Sequence, residues 1–157
     1  MRTLLRALLQ EVAEQLAAST RLDDESRADA KREARLLVAA LLELSPGALA
    51  QRLDGIPSDA DRARILTASA RRARGEPLAY CVGTAAFRHL VLMVDARVLI
   101  PRPETEIVVD EVLRLVGAHP GGVAVDIGTG SGAIAAALAT EGEFDLVVAT
   151  AERCAPR

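Results

Sequence analysis

The sequence predicts an α/β protein: an N-terminal helical bundle, a β-hairpin linker, and the first, incomplete βαβ unit of a doubly wound parallel sheet. Apolar residues recur at the helical period through residues 1–75. From Pro77 onward, alternating and β-branched residues replace that period. A short apolar run at Val123–Ile127 then leads into a glycine loop and an alanine-rich helix. We therefore expect a helical domain over residues 1–75, a hairpin connector over 76–97, and a partial sheet domain over 98–157.

Helical spacing and capping residues define the first region. Ser45 precedes Pro46, and Ser58 stands three residues before Asp61, so each serine is expected to cap a helix. Gly75 is expected to end the second of these helices. Two apolar stripes predict the core of the bundle, one from Leu4, Leu5, Leu8, Leu9, Val12 and Leu16, the other from Ala34, Leu37, Val38, Leu41 and Leu42.

The middle of the chain is expected to change from strands to a helix. Residues 80–94 alternate around Gly83 and predict a strand pair, in which Tyr80 and Phe87 pack against the sheet. Residues 101–103, Pro-Arg-Pro, exclude a helix before Glu104. A helix is predicted over residues 104–116, with one apolar side formed by Ile107, Val108, Val112 and Leu115.

The last region predicts two buried parallel strands, residues 123–127 and 146–149, joined through a helix at 133–140. A parallel sheet has to be covered on both faces and needs more strands than two, so we interpret this sheet as unfinished. Residues 150–157 show neither helical nor strand periodicity.

Composition narrows the possible functions. Half of the 157 residues are hydrophobic and the net charge is −3, which argues against a protein that binds duplex nucleic acid. Cys81 and Cys154 match no metal-ligand spacing, so no metal site is expected and a reducing compartment is indicated. No apolar run approaches about 18 residues, so no membrane span is expected. We expect a cytoplasmic monomer.

The glycine loop carries the chemistry. Gly128, Gly130 and Gly132 follow a predicted strand that ends with Asp126, and they open a helix. Glycines allow positive φ and close approach of the backbone to a ligand, while the helix N-terminus suits a carboxylate or phosphate. The spacing leaves both a nicotinamide cofactor and S-adenosylmethionine open, because Ala133 stands where the dinucleotide fingerprint has its third glycine. A tight turn without a ligand is the simplest alternative.

Two segments decide between these cofactors by resemblance. Residues 126–135, DIGTGSGAIA, are similar to the cofactor loop of class I methyltransferases. Residues 98–106, VLIPRPETE, are more specific, and together the two segments resemble the release factor glutamine N5-methyltransferases. The order and spacing of seven upstream residues also match that family: Arg72, Gly75, Pro77, Leu78, Tyr80, Gly83 and Phe87.

The resemblance implies a function and a binding site. The expected reaction moves a methyl group from S-adenosylmethionine to a glutamine in a Gly-Gly-Gln loop of a peptide chain release factor, which would dock on the helical domain. Asp126 would fix the loop or the cofactor's amino group, or would only staple the loop. Two sets of residues are expected at the cofactor: Gly128, Thr129, Gly130, Ser131 and Gly132 around its methionine end, and Arg102, Thr105 and Glu106 over the pocket. Alternatively, Arg102 and Glu106 form an ion pair that pins their segment.

Two departures from the family pattern bear on activity. The acidic residue that would bind the ribose hydroxyls is expected where Ala151 stands, and Glu152 could replace it only if the backbone turned. The family's Asn-Pro-Pro-Tyr motif is absent, so no catalytic residue is assigned. A frameshift or premature stop after Thr150 would explain both, and finding no such motif in any reading frame of the downstream DNA would refute it. The alternative function is an inactive, truncated fragment whose helical module binds a release factor.

Overall fold

The computed structural model describes residues 3–117 and 120–151, which divide into two compact units between Val82 and Gly83. The first unit is helical and the second combines helices with two small sheets, which confirms the α/β class. Within the described ranges, every helix is too short or too polar to cross a membrane.

Six helices make up the helical unit: α1 (Leu5–Ala17), α2 (Asp24–Ala28), α3 (Ala30–Leu41), α4 (Pro46–Gln51), α5 (Asp59–Ala73) and α6 (Leu78–Val82). Helices α1, α3 and α5 pack against one another around the core. The apolar stripe of α1 is buried from Leu5 to Leu16, since its residues recur on the side that faces α3 and α5. Leu4, which was predicted to belong to that stripe, is exposed because it lies at the N-cap.

The predicted helix caps are confirmed. The Ser45 hydroxyl accepts a hydrogen bond from the amide of Ala48 at 3.2 Å, ahead of Pro46. The Ser58 hydroxyl accepts from the amide of Asp61 at 3.0 Å and donates to its carboxylate at 2.6 Å. Gly75 follows α5 with φ of +93°, a conformation that side chains rarely adopt. Local sequence therefore sets these helix ends.

The strand pair is shorter than predicted. Tyr80 lies in α6, whose Cys81 is buried in the helical core, so burial there overrides the alternating pattern. The antiparallel strands are β1 (Thr84–Phe87) and β2 (Leu90–Met93), with Thr84 opposite Met93. Phe87 is fully buried in the core of the second unit.

The second sheet consists of β3 (Val123–Ile127) and β4 (Leu146–Thr150), which are parallel, with Val123 opposite Leu146 and Ile127 opposite Thr150. Helix α8 (Ala133–Glu141) connects them, and α7 (Glu106–Val116) follows a 3₁₀ turn at Pro103–Thr105. Helices α7 and α8 pack together, and α8 contacts both strands. The core of this unit contains Phe87, Val109, Ala133, Ala137 and Leu138.

Two burial predictions for this unit are only partly right. Of the predicted apolar side of α7, Val112 packs against the core beside Val109 and Leu113, whereas Ile107, Val108 and Leu115 are exposed. Strands β3 and β4 were predicted to be buried on both faces, but Val123, Val125, Ile127 and Leu146 are exposed. The reason is that α8 covers the face that carries Ala124 and Val147, and no described element covers the other face.

Candidate functional site

The glycine loop lies between the end of β3 and the start of α8. Gly128, Gly130 and Gly132 have φ of +76°, +56° and +80°, which explains the choice of glycine at all three positions. A Cβ atom at any of them would meet nothing within 4 Å, so open space lies beside the loop. Glycine therefore suits these three positions because it adopts the required backbone conformation and leaves room for a ligand.

Hydrogen bonds to Thr150, the last residue of β4, hold the glycine loop in place. The amides of Gly128 and Thr129 donate to the carbonyl of Thr150 at 3.0 and 2.9 Å. The amide of Gly132 donates to the carbonyl of Thr129 at 2.9 Å, which tightens the turn into α8. Among the described residues, the amides of Gly130 and Ser131 have no acceptor. These two donors and the helix end make the loop suited to an anionic group.

Asp126 staples the loop to the helix. Its Oδ2 accepts from the Thr129 hydroxyl at 2.7 Å and from the amide of Ala135 at 3.2 Å. A carboxylate is well placed at that position, because the amides of the first helical turn lack acceptors within the helix. These contacts link the glycine loop to α8 and also fix the Thr129 side chain.

An open cleft of about 1100 Å³ lies beside the loop, entirely within the second unit. Ile127, Gly128 and Gly130 line one side, and Thr150 and Ala151 continue that side at the end of β4. The opposite side is the hairpin end and the segment after it, formed by Gly83, Met93, Val94, Asp95, Arg97 and Val98. The cleft thus lies at the carboxyl ends of parallel strands, where ligands bind in open α/β sheets.

The sequence did not single out Asp95 and Arg97, which line this cleft. The Arg97 guanidinium donates to both oxygens of Asp95, from Nε at 2.9 and 3.0 Å, and from Nη2 to Oδ2 at 2.5 Å. These bonds lower the pKa of Asp95 to about 2, so the pair is charged at neutral pH. The sequence signal that could have identified this pair is the spacing of Asp95 and Arg97, two opposite charges that stand two residues apart shortly before the Pro-Arg-Pro segment.

Residues 101–106 divide between two environments. Arg102 is exposed and Thr105 is half-buried at the 3₁₀ turn before α7. Glu106 accepts a hydrogen bond from the amide of Arg88 at 2.9 Å, so its carboxylate anchors the hairpin turn. The residues that line the cleft do not include Arg102, Thr105 or Glu106. Among the described residues, Glu106 forms no ion pair with Arg102: its carboxylate accepts from the backbone amide of Arg88, and its carbonyl accepts from the Arg88 guanidinium at 3.2 Å.

The Arg88 side chain connects the hairpin turn to α7 and α8. Arg88 has φ of +53° in the turn between β1 and β2, an unusual conformation for a residue with a side chain. Its guanidinium donates to Asp110 of α7 at 2.7 Å and to Glu141 of α8 at 2.7 Å. These hydrogen bonds raise the pKa of Arg88 and lower the pKa of Glu141. The hairpin turn is therefore fastened to both helices of the unit.

The described residues give little support for thiol chemistry or for a metal site. Cys81 is buried, which raises the pKa of its thiol to about 11 and keeps it protonated and unreactive. Cys154 and Glu152 lie outside the described residues. No group of three potential metal ligands occurs in the ranges that the structure describes.

Comparison with known proteins finds one matching family model and several relatives. Residues 7–83 match the family model described as the PrmC N-terminal domain. A release factor glutamine methyltransferase from Burkholderia pseudomallei (strain K96243) is 43% identical over 109 residues, covering 69% of this chain and 38% of that protein. The enzymes so named from Pasteurella multocida (strain Pm70) and Geobacter sulfurreducens (strain ATCC 51573 / DSM 12127 / PCA) are 38% and 41% identical, over 72% of this chain and 40% and 39% of their own lengths.

These matches share two features. The chain spans about two fifths of the length of the curated relatives that it matches. The matched region in the family model covers the helical unit, and the relatives carry the same name at 38% identity or more over about seven tenths of this chain. By its sequence, the chain belongs to the family of release factor glutamine methyltransferases.

Proposed function

We propose that this chain carries the substrate-docking and cofactor-loop parts of an S-adenosylmethionine-dependent methyltransferase. Its target would be the side-chain nitrogen of a glutamine in the Gly-Gly-Gln loop of a peptide chain release factor. The observation that carries the proposal is the glycine loop, which opens onto the cleft at the carboxyl ends of β3 and β4 with two unpaired amides. The names of the relatives support the type of substrate.

The residues of the cleft fit the methionine end of the cofactor. The amides of Gly130 and Ser131 can donate to its carboxylate, because they have no other acceptor in the described structure. The three loop glycines leave the approach open. Asp126 and Thr129 hold the loop in shape, because the Asp126 carboxylate accepts from the Thr129 hydroxyl and from the amide of Ala135.

The ribose end fits less well. Ala151 lines the cleft at the end of β4, where a carboxylate would accept two hydrogen bonds from the diol. Alanine offers no acceptor from its side chain, so part of the affinity for the nucleoside is expected to be missing. Bound S-adenosylmethionine would supply the electrophilic methyl group, while the loop and the cleft walls would orient it. No described side chain is assigned to hold the glutamine amide.

A second candidate function is binding without catalysis, in which the helical unit docks a release factor. The alanine at position 151 and the uncovered face of β3 and β4 favour it. Loss of ribose capture and of amide positioning would each remove several kcal/mol, on the order of 3 kcal/mol apiece, of cofactor or transition-state stabilisation. For the 157-residue polypeptide we therefore expect weak or no cofactor binding and no methyl transfer.

Ligand-observed NMR at millimolar S-adenosylmethionine tests the cofactor site, because it detects weak binding. The expected signal is weak, is lost in Gly130→Val, and is absent with NAD. Valine at φ of +56° would strain the loop and block the approach. A signal that survives Gly130→Val would overturn the assignment of this loop. Its absence in the unmodified chain would leave only the binding function.

A methyl-transfer assay on a purified release factor, with radiolabelled cofactor, tests the reaction itself. No transfer is expected from this polypeptide alone. Transfer at a glutamine would refute the binding-only function and would require an amide-positioning group among residues not assigned to that role.

A further inference from the structure

A second concave surface lies in the helical unit, between α1, α3 and α4, and we refer to it as the helical groove. Its volume is about 270 Å³. The buried side chains of Leu9 and Leu49 form its floor, and Leu36 is 41% exposed at its rim. The full lining is Leu9, Arg32, Arg35, Leu36, Pro46, Leu49, Ala50 and Leu53.

The size and lining of the helical groove favour a peptide over a small molecule. Its volume of about 270 Å³ lies at the lower limit of the range for small-molecule sites, about 300–1,000 Å³. Its apolar floor between helices suits one or two apolar anchor side chains of a segment lying along the surface. Exposed leucine at such a rim is what an anchored partner would cover.

The charged residues that line the helical groove are all basic. Arg32 and Arg35 are the charged residues in its lining, and no carboxylate lines it. Arg32 donates to Asp29 at 3.2 Å on its own helix, but its side chain stays 74% exposed. Arg35 is exposed and has no ion-pair partner among the described residues. The groove is therefore cationic on a chain whose net charge is −3.

We propose that the helical groove docks an acidic segment of the release factor that carries apolar anchor side chains. Apolar side chains would fill the space above Leu9 and Leu49, while carboxylates would pair with Arg35 and Arg32 at the rim. The inference rests on the proposed function, which supplies a protein substrate. The groove lies entirely within the region that matches the PrmC N-terminal domain.

Binding of purified release factor to the 157-residue chain, measured by calorimetry without cofactor, tests this assignment. Arg35→Glu reverses the rim charge and Leu36→Ala removes the exposed apolar rim. Arg21→Glu is the matched control, since Arg21 is exposed and does not line the groove. Circular dichroism would establish that each variant keeps its helical content.

The expected result is a loss of affinity of about tenfold or more for Arg35→Glu, a smaller loss for Leu36→Ala, and less than about twofold for Arg21→Glu. Affinity of the unmodified chain should also fall with rising salt concentration. Equal binding by all variants, or no binding by the unmodified chain, would overturn the docking site. Since no cofactor is present, neither outcome bears on the glycine loop, whose failure would appear in the S-adenosylmethionine titration.

Discussion

At the scale of single residues, Ala151 bears most directly on cofactor binding. It is exposed and lines the cleft at the end of β4, next to Thr150. A carboxylate there would accept hydrogen bonds from the ribose hydroxyls, and charged acceptors form stronger bonds than neutral ones. We predict that Ala151→Asp raises the affinity for S-adenosylmethionine by about a hundredfold, as measured by titration calorimetry or NMR.

Ala7→Asp is the matched control for that substitution. Ala7 is exposed on α1 in the other unit, and an aspartate in the first turn of a helix is well tolerated. It should leave the affinity unchanged. If Ala151→Asp had no larger effect than Ala7→Asp, the ribose would not lie at the end of β4.

Arg72 forms a largely buried ion pair with Glu33 inside the helical unit. It is 9% exposed and donates to both oxygens of Glu33, at 2.7 and 2.8 Å, and to the Ser26 hydroxyl at 2.9 Å. Removing one partner of a buried pair leaves an uncompensated charge. Arg72→Ala should therefore lower the free energy of unfolding by about 3 kcal/mol, measured by urea titration with circular dichroism.

Arg32→Ala provides the comparison, because Arg32 pairs with Asp29 while remaining 74% exposed. Its cost should stay below about 1 kcal/mol, as for other surface pairs. Similar costs for the two variants would mean that the pair between Arg72 and Glu33 is no better shielded than one at the surface.

At the scale of elements, the β1–β2 turn is fastened to α7 and α8 through Arg88. Hydrogen bonds from Arg88 lower the pKa of Glu141 below its ordinary value of 4.5. The charged carboxylate is thus favoured in the folded state, so its contribution to stability is present above pH 4.5 and is lost as the pH falls through the lowered value.

Glu141→Gln should therefore flatten the acid side of the stability profile. Urea titrations of the unmodified chain at pH 6 and pH 3, followed by circular dichroism, should show a loss of stability, and the variant should lose less over the same interval. An identical loss in the variant would assign the acid sensitivity to other carboxylates, such as Glu76, whose pKa is lowered by its hydrogen bonds with Arg71.

Element boundaries show where local sequence was sufficient. Ser45, Ser58 and Gly75 set helix ends through bonds within a few residues, and all three were predicted correctly. The apolar side of α7 was predicted correctly only at Val112, because the apolar residues of that helix cover a wide arc and only part of it is buried. Which of them is buried depends on the positions of α8 and Phe87 in the fold.

At the scale of the whole molecule, the second unit exposes an unusual amount of apolar surface. Val123, Val125 and Ile127 are 60%, 56% and 83% exposed on one face of β3, and Leu146 beside them is 53% exposed. Contiguous exposed apolar surface of this kind binds hydrophobic dyes. We predict enhanced fluorescence of anilinonaphthalene sulfonate with the folded chain, and a reduced signal for Val125→Thr.

Thermal unfolding should change little in that variant, because threonine retains the β-branched shape that strands favour. Dye fluorescence no greater than that of a fully covered globular protein would show that the uncovered face of β3 and β4 is shielded in solution.

The candidate site was predicted from sequence only in part. The position of the glycine loop, between a strand and a helix, could be inferred because glycine spacing and an apolar run are local features. The opposite wall of the cleft, with Asp95 and Arg97, could not, since contact between that segment and the loop depends on the path of the hairpin. The same holds for Glu106, whose partner Arg88 lies eighteen residues earlier in the chain.

The sequence by itself determined the α/β class, the helix caps, the glycine loop and the resemblance that the comparisons confirm. Each depends on residues close together along the chain, through hydrogen bonds of a single turn or through motif spacing. Only the tertiary structure decided which apolar faces are covered, which walls enclose the cleft, and that the helical groove carries arginines without a lining carboxylate. Burial and charge pairing depend on neighbours that are distant in sequence, so no local pattern specifies them.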